Sequence, residues 1–214
     1  MEHARRVRIA LLVSLFAALI GFGYAPQADR LTWLLENMPV FIALPILLVT
    51  YRYFPFSTLA YVLMWLQALV LIVGGHYTYA EMPLFNWLRD TFDLERNHYD
   101  RVGHLMQGIV PAIAAREILL RKTPLTHDGW LFAIVCAVTL ALSACYEFIE
   151  WWIALISGTA AEAFLATQGD VWDTQWDMFI ALIGSIISQV IFNRIHDEQL
   201  RGIDATLFLR KVHC

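Results

Sequence analysis

The chain has few charged side chains for its length. Only 16% of its 214 residues are Asp, Glu, Lys or Arg, whereas 59% are hydrophobic; soluble domains average about 25% charged residues. The net charge of −4 is small and the basic residues form no stripe, which argues against a nucleic-acid partner. This composition predicts a membrane protein whose main partner is membrane lipid.

Cysteine and the common catalytic motifs are also scarce. The three cysteines, Cys136, Cys145 and Cys214, form no CxxC pair, and two of them lie within apolar runs. We therefore expect small core residues rather than a disulfide framework or a zinc knuckle. The sequence contains no HExxH, GxSxG or P-loop motif, so no motif assigns a reaction.

Six apolar segments are long enough to cross a hydrocarbon layer of roughly 30 Å. They cover residues 8–25, 35–51, 57–79, 99–120, 129–157 and 175–195. Pro39 and Pro45 interrupt the second segment, which predicts a kink there. Residues 82–92 mix aromatic and polar side chains, which is typical of an interfacial segment. Residues 197–214 form a polar tail that we expect at the surface.

The distribution of basic residues predicts the orientation. With the N-terminus inside, four of the 15 Lys and Arg residues lie on the outer side and eleven on the inner side. Cytoplasmic segments of membrane proteins are enriched in Lys and Arg, so both termini are predicted to be cytoplasmic. The predicted fold is an all-α polytopic helix bundle of about six transmembrane helices, in a single membrane domain of residues 1–214.

Ionisable side chains are concentrated at the outer ends of spans three to six. In chain order they are His76, Asp100, His104, Glu147, Glu150, Asp173 and Asp177. Spacings of three or four residues place the two members from each of the last three spans on one helix face. Because charge near hydrocarbon is costly, such a cluster predicts a functional site.

Small residues continue the faces that carry these groups. Gly108 and Ala112 follow His104 in steps of four, while Gly184 and Ser188 follow Asp177. Small residues at this spacing indicate close helix packing in membranes. We therefore expect spans four, five and six to meet around the site.

Imidazole and carboxylate side chains together suit a divalent metal such as zinc, manganese or iron, and carboxylates alone suit magnesium or calcium. The predicted metal ligands are His104, Asp100, Glu147, Asp173 and Asp177. Glu150 or His76 is predicted to move protons. The predicted reaction is metal-assisted hydrolysis or transfer on an envelope lipid or a lipid-linked phosphate.

Two other functions stay open. The same groups could serve as an ion or proton relay in a small transporter or proton-coupled permease, with Gln107, Ser188 and Gln189 continuing the polar path. Alternatively the protein is a non-enzymatic membrane factor, in which Glu147 and Glu150 pair with Arg96 or Arg101, since buried charges are normally paired.

Several individual residues also have simpler interpretations. Asp170 is read as part of a solvated acidic loop, and His98 is equally an interfacial loop residue or a ligand. The remaining histidines are read as surface residues on the inner side: His3, His127, His196 and His213.

Four segments carry a resemblance to a known family. GGHYTY, RNHYDRVGH, YEFIEWW and GDVWDTQWDM resemble the YjdF-like family of uncharacterised bacterial inner-membrane proteins, over roughly residues 25–195. The resemblance implies a multi-pass protein of the bacterial inner membrane and no particular reaction. A looser likeness to VanZ-like proteins matches Asp100 with His104, then Glu147 with Glu150, then Asp170 with Asp173 and Asp177. Arg101 stands where those proteins have Lys.

Overall fold

The protein is all-helical in the computed structural model, which describes residues 2–157 and 167–212. His213 and Cys214 lie outside the described residues. Eight α-helices and one 3₁₀ turn, at Tyr79–Glu81, form the described part. The helices are α1 (Glu2–Tyr24), α2 (Arg30–Glu36), α3 (Met38–Thr50), α4 (Thr58–Tyr77), α5 (Pro83–Phe92), α6 (Tyr99–Lys122), α7 (Gly129–Ser157) and α8 (Asp173–Val212).

Four described helices are long and apolar enough to cross a membrane. They are α1, α4, α7 and α8, and the bent pair of α2 and α3 makes a fifth if it is one span. The remaining candidate, α6, has 24 residues, or about 36 Å of helix, but it carries charges near both ends. The count of six spans and the cytoplasmic termini therefore stay predictions.

The predicted kink in the second span occurs upstream of both prolines. Helices α2 and α3 meet at Asn37 with a bend of 46°. The Asn37 side-chain amide donates to the Trp33 carbonyl oxygen at 2.8 Å and so supplies a hydrogen-bond partner to a carbonyl group in the last turn of α2. Pro39 lies in the first turn of α3, where a missing N–H costs nothing. Pro45 lies inside α3, so the break reflects a new helix start.

Helix α6 lies at the centre of the bundle and packs against α4, α7 and α8. Helices α6 and α8 approach so closely that their backbones are in contact at two glycines. If Gly108 had a Cβ atom, it would lie 2.0 Å from the Ala181 carbonyl oxygen, and a Cβ atom on Gly184 would lie 2.4 Å from the Leu105 carbonyl oxygen. Ser188 Oγ donates to the Ile109 carbonyl at 3.1 Å. The predicted packing of small residues is confirmed.

Two apolar clusters fill the space between α4 and its neighbours. One joins Phe56, Ala60 and Leu63 to Val110 and Ile113 of α6. The other joins α1, α3 and α4 through Leu15, Val40, Ala68 and Ile72. Together these contacts fix α6 against α4 and leave the opposite face of α6 to the polar groups described below.

Two peripheral segments complete the fold. Residues 83–92, within the predicted interfacial segment, form α5, an amphipathic helix without a fully buried residue. The predicted tail is a continuation of α8, and its first part is packed. Leu200 is buried, and Gln199 accepts a hydrogen bond from the Leu59 backbone N–H at 2.9 Å. Glu198 and Arg201 are exposed, so this part of the tail has one face at the surface, while its other face packs on the bundle.

Candidate functional site

Helices α6, α7 and α8 bring a histidine and three carboxylates together. His104 Nε2 lies 3.4 Å from Asp100 Oδ1 and 3.5 Å from Asp177 Oδ1, and His104 Nδ1 lies 3.8 Å from Glu147 Oε1. Asp100, His104 and Asp177 each offer a ligand atom, and these atoms all lie within 4.8 Å of one another. The predicted meeting of three helices around these groups is confirmed.

Several polar atoms of this cluster lack a hydrogen-bond partner among the described residues. They are Asp100 Oδ2, His104 Nδ1 and Glu147 Oε1, on side chains of residues that are 5–7% exposed. Buried polar groups are normally satisfied, so each exception calls for an explanation such as an ion or a water molecule. Asp100 Oδ2 lies 3.5 Å from Arg96 Nη2, and His104 Nδ1 lies 3.8 Å from Glu147 Oε1. These ion-pair contacts are longer than hydrogen bonds, so the three atoms have hydrogen-bonding capacity left for a further polar species.

Two arginines hold the aspartates on the neighbouring side of the cluster. Arg96 Nη1 lies 2.5 Å from Asp173 Oδ1 and 3.4 Å from Asp170 Oδ2. Arg101 Nη2 lies 2.7 Å and 3.0 Å from the same two aspartates, and its Nη1 contacts Asp177. The loop aspartate Asp170 is therefore an arginine partner, which corrects its reading as a merely solvated residue.

The charges of this region do not balance. Two guanidinium groups and one imidazole face five carboxylates, which are those of Asp100, Asp170, Asp173, Asp177 and Glu147. Uncompensated charge in a low-dielectric interior is strongly unfavourable. The surplus of negative charge therefore requires bound protons or a bound cation, and the nitrogen and oxygen donors suit a divalent metal.

The other predicted site residues lie at different distances from the cluster. Asp173 is buried but engaged by the arginines. Glu150, one turn beyond Glu147 on α7, is half-buried and lines an adjoining cavity. His76 lies in the last turn of α4, where its Nδ1 is 2.8 Å from the Phe22 carbonyl oxygen and its ring contacts those of Phe22 and Tyr77, so its described side-chain contacts do not include the cluster.

His98 lies just before α6 and is exposed. Partial burial lowers the pKa of His98 below its ordinary value of 6.5, and the nearby guanidinium groups of Arg96 and Arg101 lower that pKa further. The imidazole is therefore neutral at pH 7. Because His98 is exposed and directly precedes α6, it lies at the edge of the cluster of His104 and the carboxylates rather than inside it.

A large, mostly apolar cavity adjoins the cluster. Its volume is about 1180 Å³, above the roughly 300–1,000 Å³ of typical small-molecule sites. Helices α1, α3, α4, α6 and α7 supply its walls, together with Glu36 at the end of α2. Among its polar lining residues are Glu36, Asp100, His104, Gln107 and Glu150. The cluster therefore opens onto a space of the size and polarity that a lipid needs.

A second buried polar cluster lies near the other end of α6, and the sequence analysis missed it. Glu117 accepts hydrogen bonds from the Ser57 N–H at 3.0 Å and from Arg121 at 2.7 Å, and it lies 3.1 Å from His196 Nε2. Arg116 lies 3.0 Å from His196 Nδ1. These groups are mutually paired, which is the pattern of a structural network.

A signal for this second cluster was present in the sequence. Continuing from His104 through Gly108 and Ala112, one more step of four residues reaches Arg116. Arg116 is one of the eleven basic residues on the predicted inner side. The reading of His196 as a surface residue is wrong, since it is 0% exposed, whereas His127 is exposed as predicted. The side chain of His3 lies outside the described part.

The cysteines differ from one another. Cys136 is half-buried, and its Sγ accepts hydrogen bonds from Gln189 at 3.3 Å and from Ser185 at 3.7 Å. Cys145 is exposed on α7, which corrects its expected place in the core. Its side chain therefore faces outward from the bundle, as those of many apolar residues on α7 do.

Comparison with known proteins identifies the family. A family model described as "Predicted membrane protein (DUF2238)" matches residues 7–198. The chain is 49% identical over 173 residues to the inner membrane protein YjdF of Escherichia coli (strain K12), an alignment covering 81% of this chain and 83% of that protein. No solved structure matches significantly.

These matches confirm the resemblance to YjdF-like proteins, while the likeness to VanZ-like proteins stays a prediction. They agree with the four described helices that are long and apolar enough to cross a membrane. The chain therefore belongs to the DUF2238 family of membrane proteins and is a multi-pass protein of the bacterial inner membrane.

Proposed function

We propose that Asp100, His104 and Asp177, with Glu147 beside them, bind a divalent cation at the outer face of the inner membrane. One observation carries the proposal: the ligand atoms of the first three lie within 4.8 Å of one another, and the cluster contains three buried atoms without hydrogen-bond partners among the described residues. Carboxylate oxygen and imidazole nitrogen are ligands for zinc, manganese and iron. Magnesium would rely on the carboxylates alone.

The proposed reaction is hydrolysis or group transfer on a phosphate-bearing envelope lipid. A bound cation would grip a phosphate oxygen and lower the pKa of a water molecule. Glu150 is the better placed of the two predicted proton carriers, because it lines the cavity that reaches Asp100 and His104. The described contacts of His76 run to Phe22 and Tyr77, which supports a secondary role for that residue.

Access from the membrane supports a lipid rather than a soluble substrate. The cavity is lined mainly by aliphatic and aromatic side chains from α1, α3 and α4, and it is continuous with the cluster. An apolar tail can lie in this space while a phosphate reaches the carboxylates. Under the predicted topology the cluster faces the periplasm, so the lipid would come from the outer leaflet.

Metal analysis of protein purified in detergent without chelator tests the site. The wild type should carry a near-stoichiometric divalent metal, and His104→Ala and Glu147→Ala should lose it while staying folded. Glu95→Gln, at an exposed position, is the matched control and should keep the metal. Unchanged metal content in both site variants would refute the proposal.

The same experiment separates the structural alternative. If the wild type holds no metal, shows no thermal shift with added divalent cations, and loses only thermal stability in the site variants, the cluster is an ion-pair network. The contacts of Arg96 and Arg101 with Asp173 are the observation that favours this outcome.

A second candidate function is proton or ion passage, which a chain of buried polar residues favours. Thr139 and Ser143 of α7 and Ser185 of α8 are 0% exposed, and Gln189 is 5% exposed. They lie between the cluster at Asp177 and the one at His196. In proteoliposomes with a pH-sensitive dye, Gln189→Leu should abolish proton flux while the exposed Gln175→Leu keeps it. Absence of flux in the wild type would eliminate this candidate.

A further inference from the structure

Glu36 is a buried carboxylate that the proposed cation site does not use. It is the last residue of α2, directly before the break at Asn37, and it is 3% exposed. Its Oε1 has no hydrogen-bond partner among the described residues, although the residue lines the cavity beside the cluster. An unsatisfied carboxylate oxygen that faces a cavity points to a cationic or hydrogen-bond-donating ligand.

Glu150 faces the same cavity from another wall. It lies on α7, next to Tyr146 and Ile149 along the lining, whereas Glu36 comes from α2. Asp100 and His104 of α6 line the cavity as well. Two carboxylates outside the proposed metal ligands therefore border the polar part of a space whose remaining walls are mostly apolar.

We propose that Glu36 and Glu150 bind the ammonium group of an amine-bearing phospholipid, whose acyl chains occupy the cavity. This inference rests on the proposed function for the place of the phosphate, beside the cation at Asp100 and His104. The ammonium site itself does not require the cation. A carboxylate and an ammonium group form a charge-assisted hydrogen bond, which is roughly twice as strong as a neutral one.

The distribution of charge along the cavity favours this orientation of the lipid. The acidic part contains Glu36, Asp100 and Glu150, whereas Arg5, Arg8 and Lys122 line the cavity elsewhere. On α6 the distance from Asp100 to Lys122 corresponds to about 33 Å. The headgroup at the acidic part must therefore offer positive charge. An anionic headgroup without an amine would meet the carboxylates directly and be repelled.

The apolar part of the cavity is large enough for acyl chains. Leu44, Leu47 and Met64 line it from α3 and α4, and Val110 and Ala114 line it from α6. Its volume of about 1180 Å³ exceeds the roughly 300–1,000 Å³ of small-molecule pockets. The lining side chains of Ile42, Ile46 and Leu48 are more than half exposed, so acyl chains can enter this space from the surrounding bilayer. The ligand that fits both parts combines an ammonium group with long apolar chains.

Native mass spectrometry of delipidated protein in detergent tests the inference. The protein is offered phosphatidylethanolamine and phosphatidylglycerol of identical acyl chains in equal amounts, once metal-loaded and once after chelation. The wild type should retain the amine-bearing lipid about tenfold or more in excess, in both states. Glu36→Gln and Glu150→Gln should reduce this preference towards equal retention, whereas Glu95→Gln should keep it.

Two further measurements identify which part of the lipid headgroup is recognised and where the acyl chains lie. Phosphatidylcholine, whose quaternary ammonium cannot donate a hydrogen bond, should bind more weakly than phosphatidylethanolamine. Ala114→Trp, which fills the cavity, should lower retention of both competing lipids without changing their ratio. Equal retention of the two lipids by the wild type, an unchanged preference in both glutamine variants, or undiminished retention by Ala114→Trp would overturn the inference.

The outcome is independent of the metal test. A preference for the amine that survives chelation, in a protein that never binds metal, supports the ammonium site and refutes only the cation site. A protein that binds metal but retains both lipids equally supports the cation site and refutes only the ammonium site. The two proposals can therefore fail separately.

Discussion

Replacing Gly108 by Ala should separate the two helices that build the site. The added Cβ would lie 2.0 Å from the Ala181 carbonyl oxygen, and ordinary contact begins at 3.4 Å. Helices α6 and α8 must therefore move apart locally by about 1.4 Å, and overpacking of a well-packed interior typically costs about 1–3 kcal/mol. The better helix propensity of Ala returns about 1 kcal/mol. Because a backbone carbonyl cannot rotate away, the overpacking cost should be about 3 kcal/mol, the upper end of this range. The expected net loss is therefore about 2 kcal/mol.

The same displacement should reach the cation site. His104 lies one turn before Gly108, and Asp177 lies one turn before Ala181. The closest ligand atoms of His104 and Asp177 are 3.5 Å apart. Separation of the helices would bring this distance to about 5 Å, too far for a single ion whose ligands each lie about 2 Å away. Loss of metal should therefore accompany the loss of stability.

Thermal unfolding in detergent and metal content are the two measurements. Gly21→Ala is the matched control, because Gly21 also lies inside a helix but a Cβ there meets nothing within 4 Å. The control should be as stable as the wild type or more so. If Gly108→Ala melts with the control and keeps its metal, the crossing of α6 and α8 does not position the site.

Three further changes have defined outcomes. Glu117→Gln should lower stability by about 3 kcal/mol in thermal unfolding, because it leaves buried cations without their carboxylate; the exposed Glu198→Gln should change little, and equal melting of the two would contradict the assignment. Since the pKa of His98 lies below 6.5 in the folded protein, the unfolded chain binds its proton more readily and stability should rise with pH up to about 6.5. His98→Gln should flatten that slope, and parallel profiles would count against it. Asp29→Ala should cost about 1 kcal/mol, because Asp29 Oδ1 accepts from the backbone N–H groups of the first turn of α2; an unchanged melting temperature would exclude this cap.

The sequence predicted the parts of the structure that depend on local patterns. The predicted span 57–79 corresponds to Thr58–Tyr77, and 129–157 corresponds to Gly129–Ser157. Apolar length fixes these helices, and small residues at steps of four fixed the contact of α6 with α8. Asp100, His104 and Asp177 were predicted together because helical spacing and a shared end of the bundle are both readable from the chain.

Other features depend on contacts between segments distant in sequence. The pairing of Glu117 with Ser57 and His196 joins segments that lie far apart in the sequence, and the four-residue spacing along α6 leads only to Arg116, not to these three residues. The position of the break at Asn37 was not predicted, because Pro39 and Pro45 in the same span are themselves a sufficient local reason for a kink. Glu36 likewise had no signal beyond its place at the edge of an apolar run, since its burial depends on the packing of α2 against α4.

The central place of α6 has a consequence for how the protein enters the membrane. Between His104 and Arg116 lie only eleven residues without charge, or about 17 Å of helix, which is well short of the roughly 30 Å hydrocarbon layer. Each charged residue placed deep in the layer opposes insertion by about 2.5–3.5 kcal/mol. This helix therefore cannot partition into lipid alone, and its charges are tolerated because α4, α7 and α8 enclose it. Insertion of α6 must wait for α7 and α8 to leave the ribosome, so a chain truncated after Lys122 should keep this segment out of the bilayer.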